Sequence, residues 1–173
     1  MPEYSLLNFI ICYLYEKKKV RRMEKVIHTK ARLQCRPQRA FEMFTVNRHI
    51  VRWLAPKADV KPEVGGKYHL YWDKNNPETN SSHGCYITAI EHGRFLSFNW
   101  NSFPQFSDFM EKASPKTHCV VFLLPDKADE DITDVHLIHS GWQDSPEWEE
   151  ARQWYESAWK KAFLTLERVI NDE

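Results

Sequence analysis

SGWQDSPEWEEARQWYESAW, residues 140–159, holds four tryptophans and a tyrosine in twenty positions, and its reading decides the fold. Ser145 followed by Pro146 is a helix start. A serine hydroxyl takes one of the orphan N–H groups of the first turn, and proline at the first helical position gives up an N–H that has no partner there. At about 100° per residue, Trp148, Ala151, Tyr155, Ala158, Trp159, Ala162, Phe163, Leu166, Val169 and Ile170 fall within one half of the helix. Glu149, Gln153, Glu156, Lys160 and Glu167 fall on the other half, with Glu156 and Lys160 in the favourable i, i+4 order. A long helix with one apolar half covers another element. Alanines in the middle of that stripe and aromatics along its borders predict close seating on a sheet, with the large rings wedged against its curved sides. The tryptophans are first a packing face; two of them, with Tyr155, are also candidates for a pocket wall.

What the helix covers is read upstream. In EKVIHTKARLQC (24–35), Val26, His28, Lys30 and Arg32 alternate with Ile27, Thr29, Ala31 and Leu33, the pattern of an edge-capable strand. Pro37 opens a helix with Ala40, Phe41 and Phe44 on one stripe, and NRHIVRWL (47–54) gives a second, short helix. Strands follow at 67–73, 83–91, 94–100, 117–125 and 133–142, with a tight His92-Gly93 hairpin and a turn-forming loop, NNPETNSS. VGG (64–66) is a turn before a strand. FPQFSDFMEKA (103–113) breaks the alternation and reads as a short helix or a lid-like insertion. The order is strand, two helices, a series of strands, one long helix. Short hairpin connections mean an antiparallel sheet with the helix on one face, an α+β fold. A curved sheet gripping one helix commonly leaves a cavity between them.

Bulk properties fit one domain with a sizeable core: 173 residues, 42% hydrophobic, 28% charged and 14% aromatic. The 24 basic side chains match the 24 acidic ones, so no strong field is available for a phosphate backbone and nucleic acid is a poor partner. Residues 1–22 hold five basic and two acidic side chains, which leaves 19 and 22 in the remainder, a net of −3. The apolar run YSLLNFIICYLY (4–15) is shorter than the about 20 residues of a spanning helix. Its positive charges follow it, unlike those of a secretory signal. Two readings remain: an interfacial anchor with a basic flank, or a segment outside the fold, with translation starting at Met23. The alternation that begins at once after Met23 favours the second, so the domain is expected over 23–173 and no membrane role is expected unless 4–15 is an anchor. Cys12, Cys35, Cys85 and Cys119 show no paired spacing and read as reduced, mostly buried thiols in a cytoplasmic protein.

PQRAFEMFTVNRHIVRWL, VGGKYHLYWD, GRFLSFNW and DVHLIHSGW leading into SPEWEEARQWYESAW, in that order and spacing, resemble the START-like (SRPBCC) superfamily. Within it they are similar to the domains of activators of the 90-kDa heat-shock protein ATPase. The resemblance covers about residues 23–171. It implies a helix-grip fold, a curved seven-strand antiparallel sheet wrapped around the C-terminal helix with two small helices closing one end. It also implies a cavity between sheet and helix, lined by inward side chains. The superfamily spans lipid and hormone carriers, polyketide cyclases and co-chaperone domains, and shares no catalytic motif.

No G-x-S-x-G, phosphate loop or dinucleotide fingerprint is present. His136 and His139, three apart on a strand, point to opposite faces and cannot chelate together. His118 and His136 are candidate cross-strand neighbours, and no carboxylate completes a metal site, so neither metal nor cofactor is expected. His118, His136 or His139 inside a cavity would be a candidate general base. The candidates for a cavity wall are Trp53, Tyr68, Trp72, Phe98, Trp100, Phe109, His118, Tyr155 and Trp159. Aromatic walls with a few polar tips suit a flat, mostly apolar small molecule; the alternative is that the rings fill the space themselves. Three functions follow. The first is non-enzymatic binding of a small apolar, aromatic or lipid-like ligand. The second is a protein-interaction domain using FPQFSDFMEKA as its exposed surface. The third is a cyclase- or hydrolase-like enzyme with a cavity histidine.

Overall fold

The computed structural model describes residues 25–73, 75–76, 80–101 and 103–173, so the expectation for residues 1–22 lies outside the described residues. β1 (Ile27–Leu33) buries Ile27, Thr29, Ala31 and Leu33 and turns the alternate residues to solvent. Then come α1 (Pro37–Thr45) and α2 (Asn47–Ile50), the latter one helical turn continued by turns through Leu54. β2 (Lys57–Val60) is a strand of KADV, too short to show alternation in the sequence. β3 (Tyr68–Tyr71), β4 (Ile87–Glu91) and β5 (Phe95–Asn99) follow. A 3₁₀ turn (Pro104–Phe106) runs into α3 (Ser107–Met110), then come β6 (His118–Pro125) and β7 (Thr133–Ser140). The chain closes with α4 (Pro146–Asn171).

Among the described residues, seven strands form an antiparallel surface in two parts. Five lie in the order β1-β7-β6-β5-β4, and β2 and β3 form a separate pair. The parts are joined by the single bridges Lys67↔Tyr86 and Tyr71↔Ser81 and by hydrogen bonds such as Tyr68 N to Cys85 O (2.9 Å) and Ile87 N to Gly66 O (2.8 Å). Gly66 makes the junction: a Cβ there would stand 2.2 Å from the Lys61 carbonyl oxygen, so no other residue fits the bend without moving the backbone.

α4 starts as read, with the Ser145 hydroxyl accepting from Trp148 N (3.4 Å) and Pro146 in the first turn. Glu156 and Lys160 pair at 2.9 Å. The stripe is arranged differently from the expectation. Trp148, Ala151, Tyr155, Trp159, Phe163, Leu166 and Ile170 are buried, while Ala158 and Ala162 are only half-buried. Large rings therefore occupy the middle of the stripe and these two alanines lie along one border, where they leave space.

The helix lies closest to β1, along one side of the concave face. β1 is an edge strand, and its outward N–H groups would be a template for further pairing if left open. Here the end of α4 satisfies two of them, at the end of the strand. Arg32 N donates to Glu167 Oε1 (2.8 Å), Gln34 N donates to Asn171 Oδ1 (2.9 Å), and Asn171 Nδ2 returns a hydrogen bond to Arg32 O (3.2 Å). Glu173 beyond them pairs with Arg39 of α1 and with Arg52. Among the described residues no helix is long and apolar enough to cross a membrane, and Cys35, Cys85 and Cys119 are free thiols.

Leu166, on the sheet-facing side of α4, is wholly buried, whereas Leu164, two positions away, is exposed. Leu166→Ala is expected to lower unfolding free energy by ~2–5 kcal/mol, and Leu164→Ala by no more than ~0.5 kcal/mol, in urea titrations. Equal losses would mean that the helix does not seat on this face.

Candidate functional site

Beside α4, on the flank away from β1, a cleft of about 120 Å³ opens between Leu54, Trp72, Trp100 and Phe103 on one side and Tyr155, Ala158, Trp159 and Ala162 on the other. Each element brings its ring for a local reason. Trp72 directly follows β3, and its indole N–H donates to Leu54 O (3.0 Å), which ties the second sheet to the end of the α2 segment. Trp100 follows β5 and packs on Trp159 (5.2 Å between ring centroids) and Phe98 (5.6 Å). Phe103 lies against Trp72 (4.7 Å) and Trp154 (4.7 Å), and its N–H donates to the Tyr155 hydroxyl at 2.9 Å. That hydroxyl in turn donates to Asn101 O at 3.3 Å. Burial raises the Tyr155 pKa, so it stays a neutral phenol.

His139 stands behind this wall, wholly buried among Trp100, Trp142, Tyr155 and Trp159. The Trp159 indole N–H donates to its Nδ1 at 3.2 Å. Nδ1 is therefore the acceptor, and in the neutral ring the proton sits on Nε2. Nε2 has no hydrogen-bond partner. Burial pushes the His139 pKa down to about 3, with the nearby His118 adding in the same direction. A histidine that holds its one proton on a buried nitrogen and accepts an indole N–H on the other is not a general base.

The structure brings four of the nine expected wall residues together: Trp72, Trp100, Tyr155 and Trp159. The other five go elsewhere. Trp53 packs in the core on Phe44 and Phe163, with its N–H on Met43 O (2.9 Å). Tyr68 and Phe98 stack at 4.1 Å and fill space themselves. Phe109 lies over Trp148 (5.2 Å), beyond the cleft. His118 is a correction: it lies on the outer face of the sheet, because Cys119, Val121 and Leu123 take the inward positions of β6. There its Nε2 meets Thr88 Oγ1 at 2.7 Å, which itself meets Ser97 Oγ at 2.8 Å. Nor are His118 and His136 neighbours: His118 faces Ser140 across β7, and His136 faces Phe122 and stacks on His28. Leu54, Phe103, Ala158 and Ala162 were not expected on the wall. The two alanines carried a signal, since small residues beside large ones on a helix mark a place where something else can fit.

A curved antiparallel sheet in two parts, closed on one long helix with an aromatic cleft at its side, defines a START-like helix-grip domain. Residues 34–171 match the family described as activator of Hsp90 ATPase homolog 1-like protein, and the chain belongs to that family. No curated protein sequence matches it. Solved structures give the same fold at low identity. The protein MLL2253 from Mesorhizobium loti is 19% identical, with 86% of this chain and 98% of that one covered at a TM-score of 0.65. PFC0360w, an HSP90 activator from Plasmodium falciparum, is also 19% identical, with 85% and 96% covered at 0.63. The Aha1 dimer from Colwellia psychrerythraea is 11% identical, with 84% and 96% covered at 0.60.

His139 makes the fold sensitive to acid. Its folded pKa lies below the ordinary value of 6.5, so between these limits the unfolded chain binds a proton that the folded chain refuses. The contribution is fully present above pH 6.5 and is lost as pH falls toward about 3, by up to ~1.4 kcal/mol per pH unit. His49, His69 and His118, also held low by burial, slope the same way. His139→Asn, whose amide oxygen can still accept from Trp159, is expected to flatten the stability profile between pH 6.5 and 4. An unchanged slope in denaturant melts at five pH values would remove His139 as its source.

Proposed function

We propose that this chain is a non-enzymatic binding domain that holds a small, flat, mostly apolar molecule in the cleft beside α4. The observation that carries the reading is the half-buried Ala158–Ala162 border, which leaves about 120 Å³ between aromatic walls. An apolar cavity of about 150 Å³ in another protein admits benzene, so this one suits a single ring or the narrow end of a longer, lipid-like molecule that emerges from its open side. The rings gain contact area on both faces of such a guest with little loss of side-chain freedom. The free thiols fit a cytoplasmic setting, where cysteines stay reduced.

The other two readings have less support. The interaction surface expected in FPQFSDFMEKA has its apolar side turned inward: Phe106 and Met110 are buried and Phe109 leans on Trp148. Contact with a protein, by analogy with the HSP90 activator among the similar structures, would fall instead on the outer sheet face, where Tyr86, Phe122 and Leu124 are exposed. The enzymatic reading relied on a cavity histidine, and His139 has no basic nitrogen to offer.

Native mass spectrometry of the gently purified chain, alone and with a panel of aromatic and lipid-like compounds, tests the proposal. A bound mass lost on denaturation is expected, and Ala158→Leu, which fills the cleft from α4 without touching the core stripe, should weaken binding at least about tenfold. A bare chain with no response to any compound, or the same binding in Ala158→Leu, would overturn it.

A further inference from the structure

The outer face of the sheet carries polar groups that neither the core nor the cleft uses. Cys85, Ile87, Phe98, Thr117, Cys119 and His139 are buried on the inner side, so alternation turns Tyr86, Asn99, Lys116, His118 and Ser140 outward. Four of these form a row across the sheet. Asn99 N donates to Tyr86 O (3.2 Å), Asn99 faces His118 across β5 and β6, and His118 faces Ser140 across β6 and β7. Lys116 stands two residues before His118 on the same face. With the segment 113–116 that leads into β6, they line a groove of about 670 Å³.

The groove is rich in donors and poor in negative charge. Asn99 Oδ1 accepts from Tyr86 N at 2.7 Å. That bond fixes which way the amide is turned, and its Nδ2 has no partner among the described residues. The Ser140 hydroxyl has none either. Lys116 Nζ donates to Asn101 Oδ1 (3.0 Å), which uses one of its three N–H groups, and it forms no ion pair among the described residues. His118 Nε2 meets Thr88 Oγ1 at 2.7 Å, and burial lowers its pKa, so near neutral pH the ring carries no charge. No aspartate or glutamate lines the groove, which makes Lys116 its one charged side chain. This holds although residues 23–173 carry a net charge of −3. An ammonium, an amide N–H₂ and a hydroxyl along one groove, with no carboxylate to occupy them, are the partners that an oxyanion takes.

We propose that this outer groove binds a small molecule carrying a carboxylate or phosphate group. Lys116 supplies the charge, and Asn99 Nδ2 and the Ser140 hydroxyl supply further hydrogen bonds. The Tyr86 ring, 48% exposed, gives the carbon skeleton of such a molecule a flat contact. The groove lies on the opposite face of the sheet from the cleft beside α4, and neither site depends on the other.

Succinate and glycerol 3-phosphate present the two forms of oxyanion, and glycerol is the uncharged control. Each is titrated into the full chain at matched ionic strength while proton–nitrogen correlation spectra are followed. The amide peaks of Lys116, His118 and Ser140 are expected to move and to saturate at about millimolar concentrations with at least one of the two anions, and not with glycerol. Saturation by one anion alone identifies the group that the groove takes. Lys116→Gln is expected to weaken binding at least about tenfold. Asn99→Asp keeps an oxygen for Tyr86 N and places a carboxylate where the amide nitrogen stood, so it should weaken binding by a similar factor. Lys112→Gln, at an exposed lysine outside the groove, should leave binding within about twofold. Shifts that do not saturate with either anion would overturn the proposal. So would equal weakening in all three variants, or binding that Lys116→Gln and Asn99→Asp both leave unchanged.

Discussion

The seating of α4 along the edge of β1 is the constraint from which the rest of the structure follows. Two outward N–H groups of the edge strand are satisfied by side chains of the helix, Glu167 and Asn171, and no longer present an open edge there. The same contacts fix the helix along one side of the concave face instead of over its centre. The buried stripe through Tyr155, Trp159 and Phe163 then fills the space between helix and sheet. On the opposite flank the narrow volume above Ala158 and Ala162 remains, while on the β1 side open space remains around Lys30 and Glu167. The cleft is a consequence of where the helix is held.

Inside that frame the polar groups of the aromatic rings set the detail. Indole and phenol side chains bring large apolar area into the core, but each carries a donor that must find an acceptor. Trp53, Trp72, Trp142 and Trp159 each donate to a backbone carbonyl or to His139, and these bonds define the orientation of rings that apolar contact alone would leave free to slide. His139 is the hinge of this arrangement. Its carbonyl receives Trp142 and its ring receives Trp159, so one buried residue on β7 orients two indoles. An imidazole in that position behaves as a neutral spacer with a fixed tautomer.

The fold was legible where spacing carries geometry. Ser145-Pro146 and the stripe behind it announced α4, and the alternation of Ile27, Thr29, Ala31 and Leu33 announced β1 with its correct buried face. Lys57–Val60 was not legible as a strand, because four residues cannot display a period and its partner β3 does the specifying. The site was half legible. Trp72, Trp100, Tyr155 and Trp159 were visible as aromatics near the right elements, but alternation does not say which apolar face is inward when both are apolar. Tyr68 and Phe98 therefore looked equivalent to them and turned out to stack on each other. His118 was misplaced for the same reason: its neighbour Cys119 is the residue with the inward position. Phe103 was invisible as a wall residue because it lies outside any period, at the mouth of a short helical insertion.

The junction at Gly66 has a mechanical consequence. The pair β2–β3 meets the main sheet through isolated bridges and a few hydrogen bonds, whereas α4 is tied to β1 by side-chain bonds near its end and by a buried stripe along its length. The second sheet therefore owes its place to side chains as much as to its backbone bonds: Tyr68 stacks on Phe98, the Ser82 hydroxyl donates to Tyr68 O, and the Trp72 indole donates to Leu54 O.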